Sequence, residues 1–326
     1  MIIVTGATGF IGSNIVADLN ARGRTDVLLV DDLGTQGKWK NIAKRRFLDL
    51  VDYRELDRLL PTLKAADAVF HMGANSSTTS TDGDEILRVN LHATMAWWKW
   101  CTHTGTPFIY ASSAATYGDG HQGFNDDQSP DALDQLAPLN LYGWSKHQFD
   151  KWAVERAAEG HAPPQWAGLK FFNVYGPNEY HKGDMRSLVA KNTELIARGE
   201  TIRLFKSHKE GYADGAQLRD FVYVKDCCAV MMWLLDNRQA SGVFNLGTGQ
   251  ARSFVDLMQA IGAALNKPVK IEFVDMPESI RPNYQYFTEA RMDKLKQAGF
   301  SGDFHSLERG VADYVGQHLV KADAYR

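Results

Sequence analysis

The stretch LYGWSK sets Tyr142 and Lys146 four residues apart. On a helix, that spacing puts the phenol and the ammonium one turn apart on the same face. A phenol does no proton chemistry at neutral pH unless its anion is stabilised, and a nearby cation stabilises it. Upstream, IYASSAATYG ends an apolar run with two hydroxyls, Ser112 and Ser113. A serine that fixes an alcohol beside such a phenol allows the alcohol proton to be drawn off while a hydride departs from its carbon. On residue type alone either Ser113 or Ser112 can do this.

A departing hydride needs an acceptor. The N-terminal run IIVTG leads straight into ATGFIGSNIV, with Gly6, Gly9 and Gly12 where a strand turns into a helix. Backbone without side chains can approach a pyrophosphate there, and a helix N-terminus offers free N–H groups. The spacing is GxxGxxG. Asp31 ends the second apolar run, VLLVDD, about 20 residues on, where an acidic group binds the adenosine ribose and favours NAD. Lys38, in GTQGKWK, favours the opposite choice, because it can meet a 2′-phosphate; the alternative is a solvated loop lysine. Asp49-Leu50, after the third strand, can reach the adenine, while Asp52 reads as a helix cap. In HMGANSS, Gly73 and Ala74 leave room for a cofactor and Asn75 and Ser76 can contact it. Asn90 is a polar brace for that layer.

These residues need elements to hold them. Apolar runs at Ile2–Thr5, Val27–Val30, Ala68–Phe70, Phe108–Ala111 and Ala167–Phe172 alternate with helical periods at Ile11–Arg22, Tyr53–Leu63 and Asp84–His103. The alternation predicts an α/β fold, a Rossmann-type doubly wound parallel sheet. After Asn173 the pattern becomes turn-rich, which predicts a smaller, discontinuous C-terminal substrate lobe. The division is 1–173 for the dinucleotide-binding domain, with later segments returning to it, and 174–326 for the lobe. Three tryptophans, Trp97, Trp98 and Trp100, are expected not all to face one core.

Bulk composition narrows the function class. The 326 residues are 44% hydrophobic and 23% charged, with net charge −3. That suits a full core and does not advertise a nucleic-acid-binding face. The three cysteines, Cys101, Cys227 and Cys228, do not form a disulfide framework and fit a reducing cytoplasm. No apolar run is long enough for a membrane span. The start of the chain has no signal-peptide pattern, and no metal site is expected.

The glycine loop, Ser113 and Tyr142-x-x-x-Lys146 together resemble the extended short-chain dehydrogenase/reductases, the NAD-dependent epimerase/dehydratase family. In that family the serine, by position relative to ATYG Ser113 with Ser112 as the alternative, orients the substrate hydroxyl, and the tyrosine exchanges its proton. The lysine holds the nicotinamide ribose and depresses the tyrosine pKa. HMGANSSTTSTDG, ASSAATYG, LKFFNVYGPNEYHKGDM, QLRDFVYVKD, GVFNLGTG and RPNYQYFT are similar to the ADP-heptose 6-epimerases within it, along essentially the whole chain.

That resemblance implies tightly bound NADP and inversion of C6 in an ADP-heptose for lipopolysaccharide core synthesis. It also implies a homo-oligomer, a pentamer, in the cytoplasm. It adds Phe10, Ile11, Asp32, Arg54, Met72 and Val174 to the cofactor set. It makes Lys182 a second acid/base, against the alternative of a phosphate ligand. It assigns Asn173, Asp184, Lys191, Phe205, Lys206, Ser207 and Tyr284 to the substrate. Arg219 is assigned to the pyrophosphate, against an ion pair with Asp220 or Asp226. Asp184 stands where some relatives have serine, and the loop HKEGYADGAQ is longer than in the shortest ones. A UDP-hexose 4-epimerase or a 4,6-dehydratase is the alternative activity. Ala114 and Ala115 beside the serine speak against a dehydratase, which places an acidic residue there.

Overall fold

Ile2, Ile3 and Val4 are fully buried, as are Val27 and Leu29. Such runs can lie only inside a sheet covered on both faces. The computed structural model describes residues 1–326 apart from 279, 282 and 283. Among the described residues the strands are β1 Ile2–Thr5, β2 Val27–Val30, β3 Asp49–Val51, β4 Ala68–His71, β5 Phe108–Ser113, β6 Trp166–Phe171, β7 Asn173–Tyr175, β8 Thr201–Phe205, β9 Leu218–Tyr223, β10 Gly242–Leu246, β11 Ala251–Ser253 and β12 Lys270–Val274. Seven form one sheet in the order β3-β2-β1-β4-β5-β6-β10. Every pairing in it is parallel. This is the Rossmann-type doubly wound fold. The order reverses at β1 and β4, so their carboxyl ends open a crevice where a dinucleotide fits.

The last strand of this sheet, β10, comes from the second half of the chain. The Val224–Asp236 helix before it packs on the Phe10–Ala21 helix. The rest of the second half makes a β11-β9-β7 sheet and a β12-β8 pair. These surround a core that includes Tyr175, Val189, Ile202 and Leu257.

Three expectations change. Asp49 and Leu50 do not follow the third strand; they are in it. The Tyr53–Leu63 segment is a succession of short turns, because Pro61 cannot continue a helix. Trp97, Trp98 and Trp100 share a single buried cluster, at 1%, 1% and 8% exposure. They fit together by meeting edge to face: Trp97 on Trp100 at 5.8 Å, and Trp98 on Phe108, Phe149 and Trp166.

Candidate active site

The glycine loop is shaped by close approach. Gly6 has φ +62°, and a Cβ there would lie 2.6 Å from the Gly73 nitrogen. A Cβ on Gly12 would lie 2.1 Å from the Gly6 carbonyl oxygen. Gly9 heads the Phe10–Ala21 helix with no side-chain cap, so its first N–H groups remain for a ligand. The facing wall is set by a relay. Gly73 N–H donates to Thr5 Oγ1 at 3.0 Å, and that hydroxyl meets His71 Nδ1 at 2.7 Å. His71 Nε2 meets Thr94 Oγ1 at 2.9 Å, and the Thr94 hydroxyl donates to the Asn90 carbonyl. Burial first, and the Lys146 charge second, lower the His71 pKa to about 3, so the ring is neutral. Asn90 braces the layer as expected. It receives the Asn75 N–H at 2.8 Å and donates to the Asn75 carbonyl and to Ser145 Oγ, both at 3.0 Å. It sits in a π-helical stretch, Leu87–His92, a local widening often found at functional sites.

At the carboxyl end of β2, Asp31 is occupied by its own chain. It accepts the Thr8 N–H at 2.8 Å, the Thr8 hydroxyl at 2.6 Å, the Asp32 N–H at 2.8 Å and Lys38 Nζ at 2.9 Å. A ribose hydroxyl must displace one of these, so Asp31 serves first as a strut for the loop. Lys38 is not a solvated lysine: it bridges Asp31 and, at 2.7 Å, Asp32. Asp32 also receives Arg54 at 2.8 Å. Asp31, Asp32 and Arg54, with Leu33, Gly34, Leu50 and Asp52, line an open depression of about 390 Å³. Asp52 caps the next turn by accepting the Arg54 N–H.

At the other end of the crevice, Ser113 closes β5, and Tyr142 and Lys146 stand on the Leu141–Ala158 helix. Asn140 caps that helix by accepting the Gly143 N–H at 2.8 Å. Ser112 turns away and donates to buried Asp150 at 2.7 Å, which leaves Ser113 at the site. Burial raises the Tyr142 pKa, the Ser113 hydroxyl opposes that, and Asp150 adds to it. Burial lowers the Lys146 pKa to about 8, against the pull of Asp150. The phenol therefore shifts up, where the resemblance implies a depression by Lys146; burial is the largest cause.

Lys182 lies on the Tyr180–Met185 turn, with its Nζ 5.4 Å from the Phe10 ring centroid, beside the glycine loop. Burial lowers its pKa, and Glu179 opposes that. The turn is anchored from below. Buried Glu179 accepts the Ser187 N–H at 2.5 Å and its hydroxyl at 2.6 Å, and Asn178 donates to Ser13 at 3.0 Å.

In the lobe, Arg219 is 8% exposed and meets no carboxylate among the described residues. Asp220 is taken by Thr248, Gly249 and Ala290, and Asp226 by His305, so neither of the alternative ion pairs forms. The guanidinium lies 5.2 Å from the Tyr284 ring and 5.6 Å from Phe254. Tyr284 meets Phe205 and Tyr286 edge to face. Ser207 N–H is held by Asp214, and Lys206 lies 3.4 Å from Asp275. Asn173 and Asp184 are exposed and Lys191 is half-buried. Pro282 and Asn283 of RPNYQYFT lie outside the described residues.

Residues 2–247 match the model of the NAD dependent epimerase/dehydratase family. The chain belongs to that family. Over its full length it is 48% identical to an ADP-L-glycero-D-manno-heptose-6-epimerase of Fusobacterium nucleatum, whose whole length is also covered. A relative of the same name from Nitratidesulfovibrio vulgaris is 49% identical, again with both chains fully covered. The solved ADP-L-glycero-D-manno-heptose-6-epimerase of Helicobacter pylori superposes with TM-score 0.78 at 26% identity, over 97% of this chain and 95% of that one.

Membership in the NAD dependent epimerase/dehydratase family agrees with the local chemistry. Adding side chains at Gly6 and Gly12 would fill the cradle, and the bare helix N-terminus suits a pyrophosphate. Sequence reasoning missed two features of this family member's site. Gly143 is one: a Cβ there would lie 2.7 Å from the Ala115 carbonyl oxygen. The His71 relay is the other; a histidine ending an apolar strand was its only signal.

Proposed function

We propose that the chain inverts C6 of the heptose in ADP-D-glycero-D-manno-heptose, giving the L-glycero epimer for lipopolysaccharide core synthesis, with tightly bound NADP. The substrate follows the printed names of the full-length relatives. The observation that carries the chemistry is Ser113 set against Tyr142, with Lys146 one turn on, at the carboxyl edge of the sheet beside the glycine loop.

Gly6, Gly9 and Gly12 would cradle the dinucleotide pyrophosphate, Asp32, Lys38 and Arg54 its adenosine end, and Lys146 its second ribose. When bound, the nicotinamide would supply a reversible hydride acceptor, so that oxidation and re-reduction of the alcohol carbon leave no net redox change. Ser113 holds the substrate oxygen. Tyr142, as phenolate, takes the alcohol proton, and the Lys146 ammonium stabilises that phenolate. The ketone turns over, and its oxygen then needs a proton from another direction. Lys182 supplies it. Its lowered pKa eases the release of that proton. Arg219, a buried cation that meets no carboxylate among the described residues, takes the substrate pyrophosphate, and Tyr284 covers it.

One observation favours a second reading of Lys182. Its place above Phe10 puts the ammonium beside the glycine loop, where a phosphate ligand belongs. The overall reading is tested by mass spectrometry of the nucleotide released from the purified protein, followed by proton NMR of ADP-D-glycero-D-manno-heptose incubated with it. Release of NADP and growth of the L-glycero signals are expected. An unchanged spectrum with a loaded enzyme would exclude the heptose as substrate.

A further inference from the structure

An ion pair lies behind the catalytic face, and the chemistry above leaves it unused. Asp150 and Lys170 are 0% and 1% exposed, and Lys170 Nζ lies 3.0 Å from Asp150 Oδ2. Asp150 follows Lys146 by one helical turn and Tyr142 by two, on the same face. Its carboxylate accepts the Tyr110 hydroxyl at 2.9 Å and the Ser112 hydroxyl at 2.7 Å, both from β5. Lys170 comes from β6 and donates to Thr116 Oγ1 at 2.6 Å. The Thr116 hydroxyl donates to the Ser113 carbonyl at 2.8 Å. The pair therefore joins the helix of Tyr142 to the strand of Ser113 and to the turn after it. A buried ion pair adds little stability over an apolar pair of the same shape. Stability alone does not account for charges at this spot.

We propose that Asp150 and Lys170 are positioning residues for proton transfer at Tyr142: they hold its helix against Ser113 and, as opposed charges, set how readily the phenol ionises. The proposal rests on Tyr142 being the proton carrier.

The signs follow from Coulomb's law. A carboxylate opposes the phenolate and favours the ammonium, and Asp150 does raise both Tyr142 and Lys146. Lys170 acts with the opposite sign. Other groups on the surrounding elements are accounted for. Ser113 of β5 lowers Tyr142 and carries no charge. His71 of β4 faces Lys146 and is neutral. Tyr110 of β5 and Tyr117 of the next turn are pushed up by burial and stay as phenols. His147, on the same helix, is held down by burial and then by Lys170. Lys151 pairs with Asp134 at 2.5 Å on the outer side. Asp126, beyond Tyr117, faces Lys294.

The test is the pH dependence of kcat/KM for epimerisation of ADP-D-glycero-D-manno-heptose, with melting curves to confirm folding. Asp150→Asn retains the shape and one oxygen, which keeps the bond from Tyr110 or from Ser112, while the other hydroxyl turns to accept from the amide NH2. It should move the acid limb down by about one pH unit, the effect of a unit charge roughly 12 Å away at an effective dielectric near 20. Lys170→Gln should move it up by a similar amount, and the double variant should return it to the wild-type position. Should Asp150→Asn fail to fold, Lys170→Gln carries the same test with the opposite sign. Tyr142→Phe serves as the control and should lose the limb. If Tyr142→Phe keeps it, the assignment of Tyr142 has failed. If Tyr142→Phe loses it while the folded charge variants leave it unmoved, the inference is overturned and the pair is structural only.

Discussion

Gly143 stands where any side chain would strike the carbonyl oxygen of Ala115, two residues beyond Ser113. The Tyr142 helix and the Ser113 turn meet at this point, backbone against backbone. Gly143→Ala should push them apart by a few tenths of an ångström. Near-attack geometry is sensitive to such shifts, so kcat should fall about tenfold or more. Cofactor affinity, read by fluorescence titration, should stay within a few-fold, because the glycine loop is untouched. A kcat unchanged by the substitution would mean the turn yields freely.

Lys146 carries a penalty with a defined pH window. Its pKa falls from 10.5 to about 8 on folding. Between those values the unfolded chain binds more protons than the folded one, so stability rises with pH across the window. Below pH 8 the folded state bears the full cost of a buried ammonium. Lys146→Met should therefore stabilise the nucleotide-free protein at pH 7, on the order of 2–3 kcal/mol, while abolishing turnover. Scanning calorimetry should show the gain shrinking as pH rises toward 10.5. No gain at pH 7 would show that the ammonium is well paired.

Lys38 bridges Asp31 and Asp32, and a 2′-phosphate would compete for the same ammonium. Lys38→Ala should weaken NADP by about 1–3 kcal/mol and NAD by much less. Calorimetric titration of both nucleotides decides this. Equal losses would make the lysine a strut for the two carboxylates rather than a selector.

Lys182 and Arg219 should separate in kinetics. Arg219→Met removes a contact equal in ground and transition states, so KM should rise with little change in kcat. Lys182→Met should lower kcat by about 10²-fold if the amine moves a proton. A Lys182→Met enzyme that behaves like Arg219→Met would assign the lysine to phosphate.

The sheet, and the meeting of Ser113, Tyr142 and Lys146 at its carboxyl edge, were legible because each has a local signature: buried apolar runs, a glycine-marked turn, and a Tyr-Lys spacing. Partnering was not legible. Two hydroxyls sit side by side in ASSA, and only the fold shows that Ser112 is spent on Asp150. Asp31 reads as a ribose ligand from its position, yet Thr8 occupies it, a contact made 23 residues away in sequence. The direction of the Tyr142 shift was not legible for a similar reason. Spacing reports a neighbouring lysine, but burial, the largest cause of the rise, is a property of the whole fold. The tryptophans failed the other way: the sequence suggested too little room, and edge-to-face packing found it.

The return of β10 to the first sheet has a consequence for synthesis on the ribosome. Every residue of β6 is buried, and its outer edge pairs with Gly242–Leu246. Translation at about 5–20 residues per second leaves that edge uncovered for several seconds after β6 has emerged. An unpaired apolar edge recruits other strands. Nascent chains stalled between β6 and β10 should thus be the species that chaperones hold. Gln165, just before β6, waits with them: its amide later grips the carbonyls of Leu234, Asn237 and Ala240, fastening the late strand to the early one.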